Sequence, residues 1–177
     1  MRSIFKWDLL FTYGFVNLWV LSNTLLSFLS ILIAKHLVID LINKIILIYG
    51  FARVFEIIIY QINVLLFDKI RSENYKIYSY RRTIILLLHN YIEIIFWFSA
   101  SYIILSNQFR GSLNNIPEII YSSFAIMTTF NPSNINPISV QGIYIIWFQS
   151  ISGILITLIS ISRFIGLLPS VQQVIDD

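Results

Sequence analysis

The stretch PEIIYSSFAIMTTFNPSNINP, residues 117–137, sits between two long apolar segments. It is too short to cross a bilayer and too apolar for an ordinary surface loop. Pro117 suits a first helical position, where its missing N–H would have no partner in any case. Glu118 follows in the first turn, where a carboxylate meets the positive end of a helix. Twelve helical residues from Glu118 to Thr129 would rise about 18 Å, a little over half of the roughly 30 Å hydrocarbon thickness. The run FNPSNINP (130–137) cannot continue the helix, and a full-length apolar segment starts directly after it. Non-helical backbone at membrane depth is tolerated only where protein or water surrounds it, so the loop is expected to line an aqueous path. The half-helix would aim its partially negative C-terminal end at mid-membrane, which favours a cation there.

Outward from this stretch, composition sets the class. Of 177 residues 57% are hydrophobic and 12% charged, roughly half the charged share of a soluble domain. The chain reads as an all-α integral membrane protein with four transmembrane helices, at roughly 9–34, 45–67, 84–106 and 138–166; the last two flank a re-entrant helix and filter-like loop. The apolar run 9–34 has no small-residue cleavage site and reads as an uncleaved first helix. Two units follow: a helix pair with its polar loop at 1–82, and a pore-type unit at 83–177. No cysteine is present, so neither disulfides nor thiolate metal sites are available. With a net charge of +3 and no basic stripe, a nucleic-acid partner is not expected.

Basic residues set the orientation. Arg2, Lys6, Lys69, Arg71, Lys76, Arg81, Arg82 and Arg163 fall on one side, and Lys35, Lys44 and Arg110 on the other. The positive-inside rule then predicts a multi-pass protein of the cell membrane with both termini and the 68–82 loop in the cytoplasm. Trp7, Tyr60, Tyr75, Tyr78, Tyr80, Trp97, Tyr102 and Tyr121 frame the spans as an interfacial belt would. The tyrosine-rich loop 68–82 reads either as a contact to anionic headgroups or as a plain solvated connection.

The segment IMTTFNPSNINP (126–137) resembles, without a gap, the pore loop of the potassium channel superfamily, approximately T-x-T-T-V-G-Y-G-D-x-x-P. Thr128 and Thr129 are identical, Phe130 stands at the valine position and Pro137 at the closing proline. The resemblance covers about residues 84–166. It implies an outer helix at 84–106, a pore helix, a filter and an inner helix with Gly153 near the hinge-glycine position; Phe164 would stand at a cytoplasmic constriction. It also implies a homotetramer in the lipid bilayer, passing monovalent cations such as K+ or Na+ as permeant ions, with no cofactor.

The departures fall in the filter itself. Asn131 and Ser133 replace the two glycines, Pro132 the tyrosine and Asn134 the aspartate. A ladder of carbonyl rings needs backbone angles that glycine reaches cheaply. Pro132 fixes its own φ and restricts Asn131 to extended conformations. The amides of Asn131 and Asn134 and the hydroxyls of Ser133 and Thr129 would instead line a wider path with weak K+ selectivity. The alternative is a non-conducting pore-type fold serving as a membrane scaffold or accessory subunit. Asn131-Pro132-Ser133 also resembles the aquaporin box, but that fold needs two boxes and six spans.

Arg53 and Glu56 lie at i, i+3 in the second span, and His89 and Glu93 at i, i+4 in the third. Counted from the span ends, Glu56 and Glu93 reach similar depth with Arg53 within reach, so a neutralising cluster that joins helices is expected. A gating or proton-sensing role for Glu93 and His89 is the competing reading. The first two spans carry no arginine at every third position, so no voltage sensor is expected; they are candidates for contact with a membrane partner protein. Neither metal-ligand spacing, paired acids nor a phosphate-binding glycine loop points to an enzyme.

Overall fold

The computed structural model describes residues 2–37, 39–71, 80–111, 115–130 and 135–167. Five α-helices account for most of them: α1 (Arg2–His36), α2 (Asp40–Arg71), α3 (Tyr80–Ile104), α4 (Ile116–Met127) and α5 (Val140–Leu167). Four contain stretches long and apolar enough to cross a membrane, Asn17–His36, Asp40–Val64, Ile84–Ile104 and Val140–Ile165, while α4 is a shorter apolar helix.

The helices run two to seven residues past the expected spans at several ends, because polar residues such as Lys35, His36 and Asp40 continue the helical ladder. The connection between α1 and α2 is therefore only residues 37–39. α4 starts two residues earlier than expected and stops two earlier. Pro117 accordingly occupies its second position, where the N–H is still one of the four without an intrahelical acceptor.

α3 is the central helix, packed against α1, α2, α4 and α5. The α1 side of its main contact is a seam of small and polar residues, Val20, Asn23, Ser27, Ser30 and Ala34, all buried. They recur every three or four positions, and small side chains let helices approach closely where lipid removes the hydrophobic drive between them. The hydroxyls of Ser27 and Ser30 donate to the carbonyls of Thr24 (2.7 Å) and Leu26 (2.9 Å), so the seam buries no unsatisfied hydroxyl. On the α2 side, Trp97 lies against Gly50, where an added Cβ would stand 2.9 Å from its ring. A ring cluster of Phe51, Phe98 and Phe148 joins α2, α3 and α5.

Two belt assignments are corrected by burial. Trp97 and Tyr102 belong to the core, with their polar atoms bonded inside the protein. Tyr60 and Tyr121 are exposed. The side chains of Trp7, Tyr75, Tyr78 and Tyr80 lie outside the described residues. The all-α expectation also gains an exception. After a 3-10 turn at Ser106–Gln108, β1 (Phe109–Arg110) pairs antiparallel with β2 (Asn136–Pro137), Phe109 opposite Pro137 and Arg110 opposite Asn136. The Ile138 N–H extends this clamp by donating to the Gln108 carbonyl at 2.9 Å. Ser139 then starts α5 by accepting from the Gly142 N–H at 3.1 Å.

Candidate functional site

α4 packs against both α3 and α5. Ile119, Ser122, Ser123, Ala125, Ile126 and Met127 are buried, whereas Tyr121 and Phe124 are exposed. The helix is held by a buried polar chain. The Ser123 hydroxyl donates to the Ile95 carbonyl in α3 at 2.8 Å. The Gln149 amide of α5 donates to the Ser123 carbonyl (2.9 Å) and hydroxyl (2.8 Å). The Tyr102 hydroxyl donates to the Gln149 side-chain carbonyl. All three side chains are fully buried, so the chain fixes α4 against both neighbours with each polar atom answered. Ser123 and Gln149 were not picked out in the sequence, and Tyr102 was picked out only as a belt residue. A glutamine in the middle of an apolar span was the one signal available.

The C-terminal end of α4 is closed by a Schellman turn. The Phe130 N–H donates to the Ala125 carbonyl at 2.8 Å and the Thr129 N–H to the Ile126 carbonyl at 3.1 Å. Thr129 itself sits at φ 66°, the left-handed conformation that a β-branched residue adopts at a cost of about 1–2 kcal/mol. Strained residues of this kind persist where surrounding contacts over-determine them and cluster at functional sites.

Two residues before Thr129, the Met127 backbone meets Gly153 of α5. A Cβ at that position would stand 2.2 Å from the Met127 carbonyl oxygen. The expected hinge position is therefore also where α5 receives the backbone of the α4 terminus.

Of the expected filter residues, Thr128 turns its hydroxyl back to the Phe124 and Ala125 carbonyls (3.0 and 3.1 Å). Thr129 and Phe130 are exposed, Phe130 by 72%. Asn131, Pro132, Ser133 and Asn134 lie outside the described residues. Beyond them Ile135 is buried, and Asn136 enters the clamp with Arg110. The loop is thus anchored on one side by the Schellman turn and on the other by β2.

Arg53, Glu56 and Glu93 come together. The Arg53 guanidinium reaches Glu93 with Nε to Oε1 at 2.8 Å and Nη2 to Oε2 at 3.5 Å. Its Nη1 stands 2.8 Å from a Glu56 oxygen. The Trp97 indole donates to Glu93 at 3.3 Å, and the Trp19 ring lies 5.7 Å from the guanidinium carbon. Alongside, the Tyr49 hydroxyl donates to the Asn23 side chain at 2.7 Å. Glu93 is fully buried, but the Glu56 side chain is 59% exposed. His89 is not part of the cluster; its Nδ1 lies 2.9 Å from the Ile85 carbonyl oxygen of its own helix. Phe164 is exposed near the end of α5, and Arg163 donates to the Gln61 carbonyl at 3.2 Å, joining α5 to α2. Among the described residues no group of three or more His, Cys, Asp or Glu could hold a metal ion.

Compared with family models, with curated proteins and with solved structures, the chain finds no match.

Proposed function

We propose that the chain is the subunit of a homotetrameric cation channel, with α4 as a re-entrant pore helix and residues 128–134 as its filter-like loop. The observation that carries the reading is the half-length apolar α4, held between two span-length helices and ended by a strained turn at Thr129. Four copies around one axis supply the closed path that a single loop cannot. The permeant ions are monovalent cations, K+ or Na+, with weak discrimination, because asparagine, serine and threonine oxygens at Thr129, Asn131, Ser133 and Asn134 replace a glycine-permitted carbonyl ladder. In this reading the protein lies in the cell membrane with both termini in the cytoplasm, and the Arg53–Glu93 pair fixes α2 to the outer helix α3.

The test is bi-ionic recording from purified protein in a planar bilayer, with K+ on one side and Na+ on the other. A clear conductance reversing near zero is the expected result. A strongly K+-directed reversal removes the weak-selectivity part. Silence from verified tetramers overturns conduction in favour of a membrane scaffold.

A further inference from the structure

Glu56 is the feature that neither helix packing nor the pore reading absorbs. It lies four residues from the midpoint of the apolar stretch Asp40–Val64, about 6 Å along the helix axis. Its side chain is 59% exposed, and its helix neighbours Phe55, Ile59 and Tyr60 are exposed too, as is Trp19 of α1. Among the described residues its single charged partner is Arg53, whose guanidinium is also bonded to the fully buried Glu93. The cluster therefore sets two carboxyl groups against one guanidinium, so at membrane depth one acid shares its cation with another and has none of its own. Charged side chains there turn toward a protein interior, water or an opposite charge, and Glu56 faces outward from this chain.

We infer that the Glu56 face of α2 is a docking surface for a membrane-spanning helix of a different protein that carries one lysine or arginine near its mid-depth. Charge complementarity selects that partner: one added cation gives each acid a cation of its own, and apolar side chains on either side of it meet Phe55, Ile59 and Tyr60. A second copy of the chain is a poor source of the cation. In the described spans its Lys35, Lys44 and Arg163 stand within four residues of a span end, and its Arg53 is buried in two ion pairs. The inference does not depend on conduction.

The test uses the full chain, donor-labelled and reconstituted in phosphatidylcholine vesicles. The acceptor-labelled probe is a synthetic apolar helix of about 21 residues with a single central lysine. Controls carry leucine or glutamate at that position. Energy transfer should show the lysine helix binding about tenfold more tightly than the leucine helix, equivalent to about 1.4 kcal/mol. Glu56→Gln should remove the difference, with helicity and thermal midpoint unchanged because the side chain is largely exposed. Glu56→Lys should transfer the preference to the glutamate helix, which separates a charge contact from a folding defect. Equal binding of the lysine and leucine helices to the unaltered protein overturns the inference. So does Glu56-dependent association between copies of the chain that excludes the lysine helix.

Discussion

Replacing Gly153 with alanine pits two effects of opposite sign against each other. In an unobstructed helix interior, Gly→Ala is stabilising by roughly 0.5–1 kcal/mol, because glycine loses the most backbone freedom on folding. In this protein the new Cβ would stand 2.2 Å from the Met127 carbonyl oxygen, 3.1 Å from its carbonyl carbon and 3.2 Å from its Cα. These are backbone atoms, so no rotamer change relieves the clash. Opening the shortest contact to even 3.0 Å requires 0.8 Å of separation between α5 and the end of α4. That end is itself tied down by the Schellman turn and by Gln149. Overpacking of this kind costs typically about 1–3 kcal/mol, so the net change should be destabilising by up to about 2.5 kcal/mol after the helix-propensity gain is subtracted. The assay is thermal unfolding of purified protein in detergent, followed by helical circular dichroism. Particle size on a sizing column would be measured on the same samples. A Gly153→Ala protein as stable as the original, or more stable, would refute the close approach and leave only a hinge role.

Glu93→Leu should destabilise by about 3–5 kcal/mol, because it leaves the buried Arg53 without its main partner; Arg53→Leu combined with Glu93→Leu should lose less than the sum of the single changes, measured as a double-mutant cycle of unfolding midpoints. Gln149→Leu should cost about 1–3 kcal/mol by stranding the buried Tyr102 hydroxyl and removing both bonds to Ser123. Its coupling with Ser123→Ala should exceed 0.5 kcal/mol in the same assay, and additivity would dissolve the proposed chain. Thr129→Gly should raise stability by about 1 kcal/mol through relief of the left-handed strain. On the proposed channel reading it should also alter the K+/Na+ reversal potential; a stabilised protein with an unchanged potential would remove Thr129 from the proposed ion path.

The number and order of the helices were legible in the sequence because apolar runs of span length leave little choice. How the helices face one another was not. On the otherwise apolar α1 the small and polar stripe Asn23, Ser27, Ser30 and Ala34 was a readable sign of a packed side, but nothing in it named α3 as the helix that lies there. Trp97 and Tyr102 illustrate the same ambiguity. Both fit an interfacial belt by residue type, but each has its polar atom bonded inside the core, to Glu93 and Gln149. Charge was the better guide: Arg53, Glu56 and Glu93 could be matched by depth because buried charges must find partners, whereas His89, able to use its own helix carbonyl, gave no such constraint. The Thr129 turn and the β1–β2 clamp were illegible for a different reason. The turn is local, but a threonine is not the residue that marks a left-handed helix end, and the clamp joins 109–110 to 136–137 across the whole of α4.

That clamp separates the frame around the loop from its content. The loop is held by Gln108, Phe109 and Arg110 against Asn136–Ile138 on one side, and by Met127 against Gly153 on the other. None of these contacts uses a side chain from 131–134. On the proposed channel reading, exchanges at 131–134 should therefore change ion preference while this frame on either side of the loop stays in place.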